Sequence, residues 1–422
     1  MSGPVDTISP VVPARRALPH YLVAATLARG ADAGAAVGVV LLATLPEVGA
    51  ARPALLGGSL ATCLTAPHLL GPVLARWLDR ARDGRGRLAV GFATYATAVA
   101  AAALLLGRVP VGVPAAVLIV AGTCGPLMTG GLSGRLAGLL DPDERVQRRG
   151  QGWDAVTYGV GGSAGPAVVA GLAALAGPRI SLVGLGAASL LAAVLVRTLP
   201  AGAPSVGVPA RVPGRQVPAR AVPAGRGALR ALLGPGPLRR VTGVTTLSAL
   251  VGGTVPVLAV TLAADLGRQA VSGALLAAAY GGGNLAAALL VTAFPLTGEP
   301  ERLAVRWAAI SAVGLALCAT VPGFPVALAA FALAGAATAP LFVATLAARS
   351  AYAPEAVRAQ VFVSTAALRG AAGSLGIGLA GALAPLGPRL LLVAGAALPL
   401  AAALAATVFA RRASTAATIR SP

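Results

Sequence analysis

A few ionisable and polar side chains stand inside stretches that are otherwise almost pure hydrocarbon, and they define the chemistry open to this chain. Arg29 and Asp32 are three residues apart in the first apolar run, on one face if it is a helix. Such a pair is either a mutually neutralised structural contact or, with water at the carboxylate, a group that exchanges protons. His68 falls at a similar depth in the second run, and imidazole is the side chain that titrates closest to neutrality. Its bland alternative is to cap a neighbouring carbonyl. Tyr280 and Asn284 lie one helical turn apart in a later run, and Arg369 stands near the middle of another with no acid within a turn. An unpaired arginine buried in hydrocarbon is costly, so Arg369 is expected to face water, a partner on another helix, or an anionic group of a bound molecule.

The elements that must position these groups are long apolar segments. Residues 88–107 and 390–410 contain no charge at all. A bilayer core about 30 Å thick is crossed by about 20 such residues in a helix. Backbone groups in hydrocarbon are satisfied only in helices or closed barrels, and continuous apolar runs lack the alternation of a barrel strand. The spacing predicts about twelve helices, near 20–44, 54–76, 88–107, 110–133, 152–176, 180–198, 240–263, 270–294, 304–322, 324–347, 360–385 and 389–410. A hydrophobic content of 57% and a mean hydropathy of +0.83 agree with an all-α polytopic membrane protein.

The basic residues, all arginine, fall mostly in alternate connections. Arg52, Arg108, Arg179, Arg268 and Arg389 are on the sparse side; the clusters around 76–87 and 145–149, the central segment and the tail are on the rich side. The positive-inside rule then predicts a multi-pass protein of the cytoplasmic membrane with both termini in the cytoplasm. A reporter active only outside the cytoplasm, fused after Pro422, is expected to stay silent; an active fusion would overturn the even number of spans. The net charge of +20 is therefore assigned to topology and anionic lipid rather than to nucleic acid, since the arginines are spread over one membrane face without aromatic interleaving. No cleavable signal is expected, because residues 1–17 are polar and Pro-rich and the run that follows is long and carries charge. Cys63, Cys124 and Cys318 are isolated within predicted helices and make neither a disulfide framework nor a metal site; no metal or cofactor is expected.

Residues 199–239 are rich in Pro, Gly and Arg and contain no acid, which predicts a cytoplasmic linker with a short amphipathic piece at 227–234. It divides the chain into an N-terminal six-helix half, 1–198, and a C-terminal half, 240–422. An internal repeat supports this. Gly125-Pro126-Leu127 precedes Arg135 as Ala339-Pro340-Leu341 precedes Arg349, and Arg149-Gly-Gln151 opens one following helix as Arg358-Ala-Gln360 opens the other.

The segment after the second run reads Gly71-Pro-Val-Leu-Ala-Arg-Trp-Leu-Asp79-Arg80-Ala-Arg-Asp83-Gly84-Arg85. It resembles the signature loop of the major facilitator superfamily, with a turn about two residues longer. Helix five, with Trp153-Asp154-Ala-Val-Thr157-Tyr158 and then Gly161-Gly-Ser-Ala-Gly165-Pro166, is similar to an element of many exporters in that superfamily, in an actinobacterial form. The resemblance implies twelve helices in two pseudo-symmetric halves. It assigns a conformational-switch role to Gly71, Asp79, Arg80, Gly84 and Arg85 and a helix-five role to Asp154, Gly161, Gly165 and Pro166. Helices three, six, nine and twelve, which face lipid in that superfamily, carry no interior charge here. One departure is that 117–131 holds no Arg, where many proton-linked exporters have one.

The function implied is secondary active transport of a small molecule by alternating access, as proton-coupled efflux by a monomer in the bilayer. Asp32, with Arg29 and His68, would carry the proton; Arg369, Tyr280 and Asn284 would contact substrate. The alternatives are an uptake permease of the same fold and a polytopic membrane enzyme using Asp141-Pro142-Asp143-Glu144 as a metal motif. An enzyme site would need further acids or histidines that the chain lacks. No GxxxxGK[ST] loop is present to drive a nucleotide-powered pump.

Overall fold

The computed structural model describes residues 14–79, 83–141, 143–200, 226–354 and 357–420. Among them the regular elements are helices, joined by short turns and one isolated bridge, Leu106–Val109. In chain order they are α1 (Ala14–Leu42), α2 (Pro53–Thr65), α3 (Gly71–Asp79), α4 (Gly84–Leu105), α5 (Gly112–Pro126), α6 (Leu132–Leu139), α7 (Glu144–Thr198), α8 (Arg226–Leu233), α9 (Pro237–Gly253), α10 (Val255–Asp265), α11 (Gly273–Ala293), α12 (Pro300–Leu317), α13 (Phe324–Ala336), α14 (Thr338–Tyr352), α15 (Arg358–Ala382) and α16 (Pro388–Arg420).

Nine helical stretches among the described residues are long and apolar enough to cross a membrane, or ten when α9 and α10, bent by 44°, count as one broken span. The difference from twelve has physical causes. Prolines interrupt the hydrogen-bond ladder, because they lack the N–H and their ring crowds the carbonyl four residues back. Pro67 falls in a 3-10 turn, Ala66–Leu70, that separates α2 from α3, so the expected helix 54–76 is not continuous. Within α7, Gly177 adopts φ 88°, ψ 162°, a conformation L side chains rarely take. The chain folds back there: Val169 and Leu182, on the two arms, both approach Gly38 of α1. The two prolines of the sequence repeat both lie near a helix irregularity. Pro126 ends α5 at a π-helical turn, Leu127–Gly131, and Pro340 follows the break between α13 and α14 at Ala337.

The expected amphipathic piece is α8, whose Leu232 joins Leu238, Val357 and Val361 beside the start of α15. Most of the expected linker lies outside the described residues. Helix α1 packs against α7 at backbone distance. A Cβ on Gly34 would stand 2.8 Å from the Gly165 carbonyl, and one on Gly161 2.8 Å from Arg29 Cβ. Small residues are what permit such approach in a membrane, where packing replaces the hydrophobic drive.

N-terminal and C-terminal helices meet along two seams. Thr62 of α2 donates to the Ser374 carbonyl of α15 at 3.2 Å, with Gly58 against Gly381 nearby. The other seam brings Gly162 of α7 against Gly281 of α11.

Candidate functional site

Three groups of polar residues lie inside the helices. The first centres on Arg29, which is 3% exposed. Because Gly161 and Gly165 hold α7 on α1, Arg29 turns across that seam. Its Nη2 is 2.8 Å from Asp154 Oδ1 and 2.7 Å from Ser133 Oγ; its Nη1 donates to the Asp154 carbonyl at 2.9 Å and to Thr157 Oγ1. The Tyr158 ring lies 3.5 Å beneath the guanidinium. Asp154 also accepts from the Tyr21 hydroxyl and, at 2.8 Å, from Ser133. These bonds join α1, α6 and α7.

Among the described residues Arg29 and Asp32 form no ion pair with each other, which sets aside the mutually neutralised contact among the two readings of these groups. Three residues apart on one helix, the two side chains diverge, and the acid on α7 is better placed. Asp154, a helix-five residue in the resemblance, lies about three turns into α7, away from its start. The helix-start role falls to Asp143, whose Oδ1 accepts from the Val146 amide at 3.1 Å. Asp141 in turn accepts from the Asp143 amide at 3.0 Å. Those two acids of the candidate metal motif thus bind backbone amides.

Asp32 faces a second group. Its Oδ1 is 3.6 Å from Nε2 of His68, which sits in the 3-10 turn between α2 and α3. The Tyr95 hydroxyl of α4 lies beside Asp32. The imidazole is seated against Gly125, where any Cβ would overlap it. Neither side chain is sealed, at 17% exposure for Asp32 and 27% for His68.

The third group lines a cavity of about 550 Å³ among α9, α11, α12, α14 and α15. Tyr280 and Arg369 are both on its wall, with Thr245, Ser248, Thr338 and Arg349. Asn284 is one step behind, its Oδ1 accepting from Thr338 Oγ1 at 3.0 Å. Arg369 stacks over Phe342 at 4.9 Å. Arg349, read from the sequence as the repeat counterpart of Arg135 and not as a site residue, is 3% exposed and belongs to this wall.

Gly71 packs against Pro126, and Gly84 leaves room for the Arg135 guanidinium. Arg85 pairs with Asp83 at 2.8 Å and donates to the Leu199 carbonyl at the end of α7. The Arg85 guanidinium holds the Asp83 carboxyl below its ordinary value, with Arg135 Nη2 at 3.8 Å adding to the effect. Arg80 and the Asp79 side chain lie outside what is described. Pro166 is buried in α7.

On the sparse arginine side two of the cations are tied down locally. Arg179 pairs with Glu47 at 3.4 Å and donates to the Ala103 carbonyl; Arg389 pairs with Asp265 at 2.8 Å.

No family model matches the chain, and no curated protein does. Solved structures do. A POT family transporter in complex with a thioalcohol-conjugated peptide aligns at a TM-score of 0.71 and 13% identity, covering 94% of this chain and 96% of that one. A D-xylose-proton symporter aligns at 0.71 and 18%, covering 93% and 97%. A POT family transporter in complex with 5-aminolevulinic acid aligns at 0.70 and 12%, covering 94% and 96%. At such identities the likeness is one of fold: this is an all-α, multi-pass membrane protein with the major facilitator fold.

Proposed function

We propose that the chain is a secondary active transporter that moves a small molecule across the bilayer by alternating access, coupled to protons. The fold is shared with a D-xylose-proton symporter and with POT family transporters, and a polar cavity lies among its helices. The single observation that carries the coupled reading is the Asp32–His68 contact. A carboxylate and an imidazole, both part-exposed as side chains, meet inside the helix bundle with the facing Nε2 buried and without a hydrogen bond, and among the described residues no guanidinium pairs with Asp32. Water access decides whether such a pair holds separated charges or a shared proton. Exposing it to the two faces in turn would load a proton on one and release it on the other. Arg29 is assigned to architecture, since Asp154 pairs with it and both its terminal nitrogens are engaged, with Nε alone left unbonded.

The proposed halves, 1–198 and 240–422, rock about the α2–α15 and α7–α11 seams, with Arg85 tying the start of α4 to the end of α7. The substrate path lies within one chain, so the monomer is the proposed working unit, with both termini cytoplasmic. The export direction rests on the helix-five resemblance alone, and Gly161 and Gly165 are occupied in packing α1. Direction is therefore left to the gradient that drives transport.

Counterflow tests the carrier class. Proteoliposomes loaded with millimolar unlabelled compound, from a panel of small acids, short peptides and sugars, are expected to accumulate the labelled form transiently for at least one member. Only equilibration, without overshoot for any compound, would mark a channel and sink the carrier reading.

A further inference from the structure

The charges inside the two sets of helices are balanced differently. Arg135 and Arg349 occupy equivalent positions in the sequence repeat. Arg135 has Asp83 within 3.8 Å. Arg349 is 97% buried by its 3% exposure, yet among the described residues it has no acid partner, and its Nε and Nη2 make no hydrogen bond. Arg369, close enough to repel it, likewise has no acid, and its Nε is unpaired. Both line the cavity, and none of the lining residues is an acid.

The lining hydroxyls do not resolve this. Thr245, Ser248 and Thr345 donate to carbonyls of their own helices, at 2.8, 2.9 and 2.7 Å. Thr338 donates to Asn284 Oδ1 at 3.0 Å, which leaves the N–H groups of the two guanidiniums, together with the Tyr280 and Ser311 hydroxyls, as the donors open to a guest. Two like charges facing one desolvated space, with donors unspent, favour a guest that is an acceptor and negative. A cationic guest would meet repulsion without compensation.

We propose that this cavity is an anion site, with Arg349 and Arg369 as its anchors, and that the transported molecule presents a carboxylate or phosphate group to it. The second clause rests on the transporter reading; the binding site does not. Arg349 is a substrate-contacting residue in this assignment, and its fork can take two oxygens at once, as a lysine cannot.

The test uses the full chain in phosphatidylcholine nanodiscs, titrated with succinate and separately with inorganic phosphate, with chloride salt added to hold ionic strength constant. The readout is the unfolding temperature. At least one of the two anions is expected to raise it saturably. Arg369→Gln and Arg349→Gln should each weaken the apparent affinity about tenfold or more, the equivalent of one charge-assisted hydrogen bond. Arg349→Lys should fall between. If Arg349→Gln does not fold, Arg369→Gln, whose side chain is less sealed, carries the test. No saturable effect beyond that of chloride, or parental affinity in Arg369→Gln, would overturn the site. Counterflow of an uncharged compound without anion binding would remove the anion site and keep the transporter. Anion binding with no counterflow would keep the site and remove the transporter.

Discussion

Arg29→Ala will destabilise the protein by about 3–5 kcal/mol, the usual cost of removing one partner from a buried ion pair. The loss exceeds that of the pair itself, because Asp154 is left as a charge only 14% exposed and Ser133 and Thr157 each lose a donor. Asp154→Ala should cost a similar amount by stranding the guanidinium. The double variant should be markedly milder than the sum, because neither charge is then stranded. Thermal unfolding in detergent reads all three. Single variants that melt like the parent would show that the Arg29–Asp154 contact does not hold α1, α6 and α7 together.

Asp32→Asn will abolish uphill transport while leaving the chain folded and inserted. Asparagine keeps the shape and an acceptor for His68 but cannot release a proton. Asp32 is not in the Arg29 cluster, so its loss strands no guanidinium. Counterflow, which needs only the rocking step, should survive within a few-fold, whereas accumulation against a gradient should fall to background. His68→Gln should be milder, shifting the pH dependence of transport rather than removing it. Undiminished proton-coupled accumulation by Asp32→Asn would exclude Asp32 as the carrier.

How far the sequence reached can be judged residue by residue. The apolar runs were legible because hydrocarbon thickness imposes a length on any helix that crosses it. The fold-back at Gly177 was legible too, since it falls between the expected helices 152–176 and 180–198, whereas the 3-10 turn at Pro67 was not, because it leaves the hydropathy of the run unchanged. The cavity side chains Tyr280 and Arg369 were legible because polar groups in hydrocarbon need a reason. Arg349 was hidden because it stands one turn from its helix end, where an arginine is ordinarily a topology marker. The partner of Arg29 was misread because spacing along one helix says nothing of a neighbouring one. A signal did exist: Asp154, Thr157 and Tyr158 are three and four apart, a polar stripe on the face of α7 that also carries Gly161 and Gly165, which α1 packs against.

The central claim is that movement of a small molecule and movement of protons through this chain are one process, joined at Asp32. The direct measurement is made in proteoliposomes holding a pH-sensitive dye, without a membrane potential, diluted to impose a gradient of each compound that shows counterflow. The account predicts a change of internal pH that requires both compound and protein, reverses sign with the gradient and vanishes in Asp32→Asn. Compound flux with no pH change, or a pH change that persists in Asp32→Asn, would contradict it.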